Sequence, residues 1–166
     1  MSKLVVLALA AGLLGGCASY DGRGLQPGRS TGAEVEALMG PPAERRTIDG
    51  RESVLYFPRG PLGRHTYAAT IGPDGALRSI EQVLTQSNVD KLVAGITTRR
   101  DVRELFGPPS EISRLPRQAR EVWEYKWLHY DERRVLWVQF SDDGIVREVI
   151  NMRDYAADRV SRGRPG

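Results

Sequence analysis

The chain has 166 residues, 40% of them apolar, which suits one medium domain or two small ones with enough apolar side chains to bury a core. Lys and Arg total 24 against 21 Asp and Glu, a formal charge of +3, and the arginines are scattered among acids, which argues against a nucleic-acid binder with its concentrated basic stripe. Past the first stretch no apolar run approaches the roughly 20 residues that span a bilayer, so the body reads as soluble.

Residues 1–16 carry the parts of a signal peptide: a positive start in Met1-Ser2-Lys3, an apolar region from Leu4 to Leu14, and the small pair Gly15-Gly16 before the cut. Cys17, the only cysteine, follows at once. The string "LGGC" resembles the lipobox of bacterial lipoproteins, which implies that the Cys17 thiol is alkylated by a diacylglycerol and becomes the new N-terminus, with palmitate-type chains in the membrane. A lone thiol in an exported chain has no disulfide partner, which fits acylation better than the plainer alternative of a small apolar residue closing a secretory leader. Each buried methylene is worth about 0.8 kcal/mol, so two or three acyl chains amount to permanent attachment. By the same resemblance, Ala18 in place of Asp implies sorting to the outer membrane. Residues 17–27 are rich in Gly and lack periodicity, the pattern of a flexible tether.

Beyond the tether the sequence repeats. "GRSTGAEVEALMGPP" at Gly28 to Pro42 returns 67 residues later as "GITTRRDVRELFGPP" at Gly95 to Pro109. Further on the offset becomes 69, setting Tyr56 against Tyr125, Gly75 against Gly144 and Leu77 against Val146. Two duplicated units result, over 28–84 and 85–152, followed by a disordered tail at 153–166. In each copy a threonine, Thr31 or Thr98, stands three residues before an acid, Glu34 or Asp101, which predicts a capped helix. Val35, Leu38 and Met39 then fall at helical spacing, as do Val102, Leu105 and Phe106, and Gly40 or Gly107 with two prolines ends each run. "NVDKLVAG" predicts one more helix in the second copy, capped by Asn88 and closed by Gly95.

Strands follow. "EVWEYKW", "VLWVQF" and "GIVREVI" alternate in the second copy, matched by "SVLYFP", "TYAATI" and "GALRSIEQV" in the first. The predicted fold class is α+β, with two tandem units, each a short helix or helix pair packed on an antiparallel meander of about three strands. Units of this size are marginal alone and gain by packing on each other.

Chemistry is sparse in these strings. Gly28-Arg29-Ser30-Thr31-Gly32 fits G-x-S-x-G, yet no strand precedes Ser30, and the second copy has Thr97 and Arg99 where Ser30 and Gly32 stand. No lysine precedes Ser or Thr as a phosphate loop requires, and His65 and His129 are too far apart in sequence to suggest a metal site. The expectation is therefore no enzyme, no catalytic residue, no cofactor and no metal. Contact surfaces remain. With Leu136, Val138 and Phe140 on the core side of their strand, Trp137 points the other way, where the first copy has Ala68; Leu55 and Phe57 lie opposite Tyr56, where the second copy has Glu124 and Lys126. Trp137, Leu55 and Phe57 either pack one unit on the other or form a patch for a partner.

"GITTRRDVRELFGPP", "VWEY" and "VQFSDDGIV", in that order after a lipobox, resemble the SmpA/OmlA (BamE-like) domain of outer-membrane lipoproteins, and a doubled form resembles the β-lactamase inhibitory proteins. The resemblance implies a helical pair against a small antiparallel sheet. It also implies a lipid-anchored protein on the periplasmic face of a Gram-negative outer membrane, acting by protein contact in outer-membrane protein assembly or envelope maintenance. Its implied partners are the membrane, through the lipid, and the β-barrel assembly machinery or another envelope protein. A binding or inhibitory module for a soluble periplasmic enzyme is the alternative. The chain departs from the assembly lipoproteins in being doubled, and from the inhibitors in lacking disulfides.

Overall fold

The computed structural model describes residues 21–48, 50–60 and 63–156. Cys17, the leader and the last ten residues of the predicted tail lie outside the described residues.

The first unit runs α1 (Gly32–Met39), β1 (Glu44–Ile48), β2 (Glu52–Arg59), β3 (His65–Ile71) and β4 (Leu77–Gln82). The second runs α2 (Gln86–Val89), α3 (Arg99–Phe106), β5 (Glu111–Leu115), β6 (Arg120–His129), β7 (Glu132–Phe140) and β8 (Val146–Arg153). Each unit holds one four-stranded antiparallel sheet in sequence order, β1-β2-β3-β4 and β5-β6-β7-β8. The α+β reading with two tandem units holds.

Both capping boxes form as their spacing predicts. Thr31 Oγ1 accepts the Glu34 N–H at 3.2 Å while Glu34 Oε2 accepts the Thr31 N–H at 2.7 Å. Thr98 and Asp101 repeat this at 3.1 and 2.8 Å. Hydrogen bonds donated to the ionised carboxylate by the Thr98 backbone and side chain hold Asp101 below its ordinary range. Gly40 and Gly107 end the helices at φ 81° and 74°, and the proline pairs beyond prevent continuation.

Two expectations need correction. The meanders have four strands, not three: after each proline pair the chain turns back on β2 or β6, where Ala43 N–H bonds the Tyr56 carbonyl at 2.9 Å and Ser110 N–H the Glu124 carbonyl at 2.8 Å. "ERRTI" and "EISRL" form these edge strands with little apolar alternation to announce them. The extra helix also differs. Thr85, not Asn88, caps it, the helix stops at Val89, and Asn88 sits inside it with Nδ2 donating to the Val83 carbonyl at 2.9 Å. In the first unit the described part of the predicted tether takes the place of this helix, with Leu25 packed on the core and Gly22 buried against Ile80 and Met39.

Register decides the faces. β1 and β2 are joined by three residues between the paired Ile48 and Glu52, β5 and β6 by four between Leu115 and Arg120. The offset therefore becomes 68 on the second strand of each sheet: Leu55 pairs with Ala69 as Trp123 does with Val138, Tyr56 with Ala68 as Glu124 does with Trp137, and Phe57 with Tyr67 as Tyr125 does with Leu136. Phe57, not Tyr56, is the counterpart of Tyr125.

The molecule is a stack: α1, first sheet, α2 with α3, second sheet. Val35 and Met39 of α1 bury against Leu55, Phe57, Ala69, Ile71 and Leu77. Val102 and Phe106 of α3 bury against Trp123, Tyr125, Leu136, Val138 and Phe140. The other side of the first sheet, with Val54, Tyr56 and Ala68, forms a third cluster with Val83.

Candidate protein-contact surface

Each sheet has an outer face, turned away from its own helix, and the two are used differently. On the first sheet Tyr56 is fully buried and its hydroxyl donates to the Glu104 carbonyl of α3 at 2.5 Å. Its ring lies so close to Gly107 that a Cβ there would stand 2.5 Å from Cδ1. Burial pushes the Tyr56 hydroxyl pKa up to about 12. Charge pairs flank the contact: Arg103 Nε to Glu44 at 2.6 Å, and Arg46 to Glu104 at 3.9 Å, with the Arg103 guanidinium 5.3 Å over the Trp123 ring. At the far end Arg64 meets Asp154 at 2.8 Å, a further ion pair between the two halves of the chain, both side chains less than a tenth exposed.

Sheet pairing sets the outer face of the second sheet. Trp137 sits at its centre, between Glu124 on β6 and Ile150 on β8. It is half-buried, and its Nε1–H donates to Glu124 Oε2 at 2.8 Å. Val122 and Val135, both less than a tenth exposed, share this face by alternation with the partly exposed Ile150 and Met152, making an apolar strip whose accessible part is Trp137, Ile150 and Met152. Its frame is charged: Lys126 Nζ is 3.4 Å from Glu124 Oε1, and Arg120 Nη1 donates to Gln139 at 2.9 Å and to Glu148 at 2.8 Å. The three described α-helices are engaged elsewhere in the stack, with their buried residues in the two cores.

Of the predicted contact residues, Trp137 stands on this surface, whereas Leu55 and Phe57 do not. Both have 0% exposure and belong to the core beneath α1. The error came from setting Tyr56 against Tyr125; a shift of one residue exchanges the two faces of a strand. Tyr56 is the residue that joins the units. Glu124, Ile150 and Met152 were missed, although continuing the period-2 alternation across β8 from Val149 would have placed Ile150 beside Trp137.

The residues weighed for chemistry have local roles. Ser30 Oγ accepts the Gln26 N–H at 3.0 Å in the turn leading to α1. His129 stacks between Trp127 and Tyr130, at ring separations of 5.6 and 4.8 Å. His65 starts β3, where partial burial lowers its pKa from the ordinary histidine value. No described helix is long and apolar enough to cross a membrane.

Comparison with known proteins adds three findings. Curated proteins give no match to this sequence. A solved structure of a candidate β-lactamase inhibitor protein from Streptococcus mutans is similar at 14% identity and a TM-score of 0.32, over 74% of this chain and 82% of that one. Residues 81–150, from the end of β4 through most of β8, match the family "Outer membrane protein assembly factor BamE domain". The second unit is thus BamE-like by sequence, in agreement with the resemblance carried by "GITTRRDVRELFGPP", "VWEY" and "VQFSDDGIV".

Proposed function

We propose that the protein is a non-enzymatic lipoprotein, held by acylated Cys17 on the periplasmic face of the outer membrane, that acts in outer-membrane protein assembly by binding a protein partner. The match of residues 81–150 to an assembly-factor domain is the observation that carries this reading. The leader ending in "LGGC" supports the anchor. An apolar strip around Trp137 inside a charged frame supports contact through the second sheet, since a half-buried tryptophan rimmed by polar groups is the usual anatomy of a contact hot spot.

Cross-linking in intact cells, followed by solubilising the outer membrane and identifying the captured chains by mass spectrometry, tests the role. Recovery of β-barrel assembly machinery is expected. Recovery of one soluble periplasmic enzyme instead would replace the assembly role by an inhibitory one. Cys17→Ser is expected to release the chain from the membrane fraction; unchanged membrane retention would refute the anchor.

A further inference from the structure

The proline pairs that end α1 and α3 also end the edge strands, because neither proline has an N–H to extend a ladder. In the second unit β5 covers β6 only up to Glu124, while β6 runs on to His129. The Glu124 carbonyl points to the β5 side, since it accepts the Ser110 N–H. Alternation along a strand then turns the N–H and C=O of Lys126 and Leu128 to that same edge, where no described strand pairs with them. In the first unit the position matching Lys126 is Pro58, which has no N–H to offer. One edge is blocked and its duplicate is open among the described residues.

A cleft of about 340 Å³ adjoins the open edge. Its lining includes Pro58 and Leu84, the proline pair Pro108 and Pro109, and Tyr125 and Lys126 of β6 itself. Backbone donors and acceptors spaced along a strand fit an extended chain, and an apolar recess beside them fits one of its alternate side chains.

We propose that the edge of β6 at Lys126 and Leu128 binds an extended segment of an unfolded β-barrel protein as an added strand, with an apolar side chain of that segment in the cleft. Such proteins consist of segments of about ten residues with alternating apolar side chains, which is the pattern this site accepts. The inference rests on the proposed assembly role for the identity of the segment, while the strand chemistry stands on the open edge.

The test uses the acyl-free chain from residue 18 onward and a synthetic peptide of about ten alternating apolar and polar residues. Hydrogen exchange, read amide by amide, is expected to be fast at Lys126 and Leu128 in the free protein and slowed on adding peptide. The same peptide N-methylated at alternate backbone nitrogens is expected not to bind. Lys126→Pro, which copies Pro58, is expected to weaken binding about tenfold through one lost bond and the ring's obstruction of the incoming strand. The melting temperature should hold, because the lost N–H has no backbone partner among the described residues. Binding unaffected by Lys126→Pro, or protection appearing elsewhere, would overturn the proposal. So would protection of both amides before peptide is added, whether from the chain's own tail or, if it scales with concentration, from a second copy. In-cell capture of the assembly machinery reads the assembly role separately, so capture without peptide binding would reject the strand site alone.

Discussion

On the outer face of the first sheet stand Val54, Tyr56 and Ala68, clustered with Val83 and tied to α3 through the Tyr56 hydroxyl; at the matching positions of the second sheet stand Val122, Glu124 and Trp137, which no described helix covers. Apart from α2 and one residue in the first turn, the two units repeat each other down to their capping boxes, so on these faces the difference lies in a few side chains. Ala68 leaves room for a helix, and Tyr56 reaches α3 with its hydroxyl. Trp137 fills the place of Ala68, and its N–H is held by Glu124, which replaces Tyr56. A duplicated sheet face thus became an internal joint in one copy and a bounded surface in the other.

The contrast can be broken by mutation. Phe57→Ala should cost about 4 kcal/mol, as expected for emptying a buried aromatic site, whereas Trp137→Ala on the exposed face should cost about 1 kcal/mol. Urea unfolding of both variants checks this, and equal losses would mean that Trp137 is a core residue. The helix ends give a second pair. Gly107→Ala combines a positive φ with a clash against Tyr56 and should cost about 3 kcal/mol. Gly40→Ala has the positive φ but open space, and should cost about 1 kcal/mol. If the two losses match, the joint at Tyr56 is looser than described.

A smaller effect distinguishes His65 from its counterpart Arg134, the third residue of β7. Burial depresses the His65 pKa, so the folded protein binds its proton less well than the unfolded chain does. The contribution is present above the ordinary histidine value near 6.5 and is lost as pH falls through the lower folded value. The melting temperature of the wild type should drop as pH goes from about 7 to 5, and His65→Gln should flatten that part of the curve. No change on substitution would exclude His65 as the source.

Much of this architecture was readable beforehand because it is written in short-range chemistry. Thr31 with Glu34, Thr98 with Asp101, and a glycine before two prolines fix where α1 and α3 start and stop without reference to the rest of the chain. The edge strands were not readable, because β5 is exposed along its whole length and carries no buried face to impose a period. Faces were misjudged in the first sheet for a different reason. Pairing Tyr56 with Tyr125 by identity ignored one residue of difference in the β1–β2 turn, and one residue inverts inside and outside. Trp137 survived that error because its strand lies past both turns, where the offset of 69 holds.

The proposed partner of the second sheet's outer face is a protein of the outer-membrane assembly apparatus. A photo-cross-linking amino acid placed at position 137 of the full chain in living cells tests it most directly, with position 33 on exposed α1 as reference. Capture of an assembly component is expected from 137 and none from 33. Equal capture from both positions, or capture from 33 alone, would contradict it.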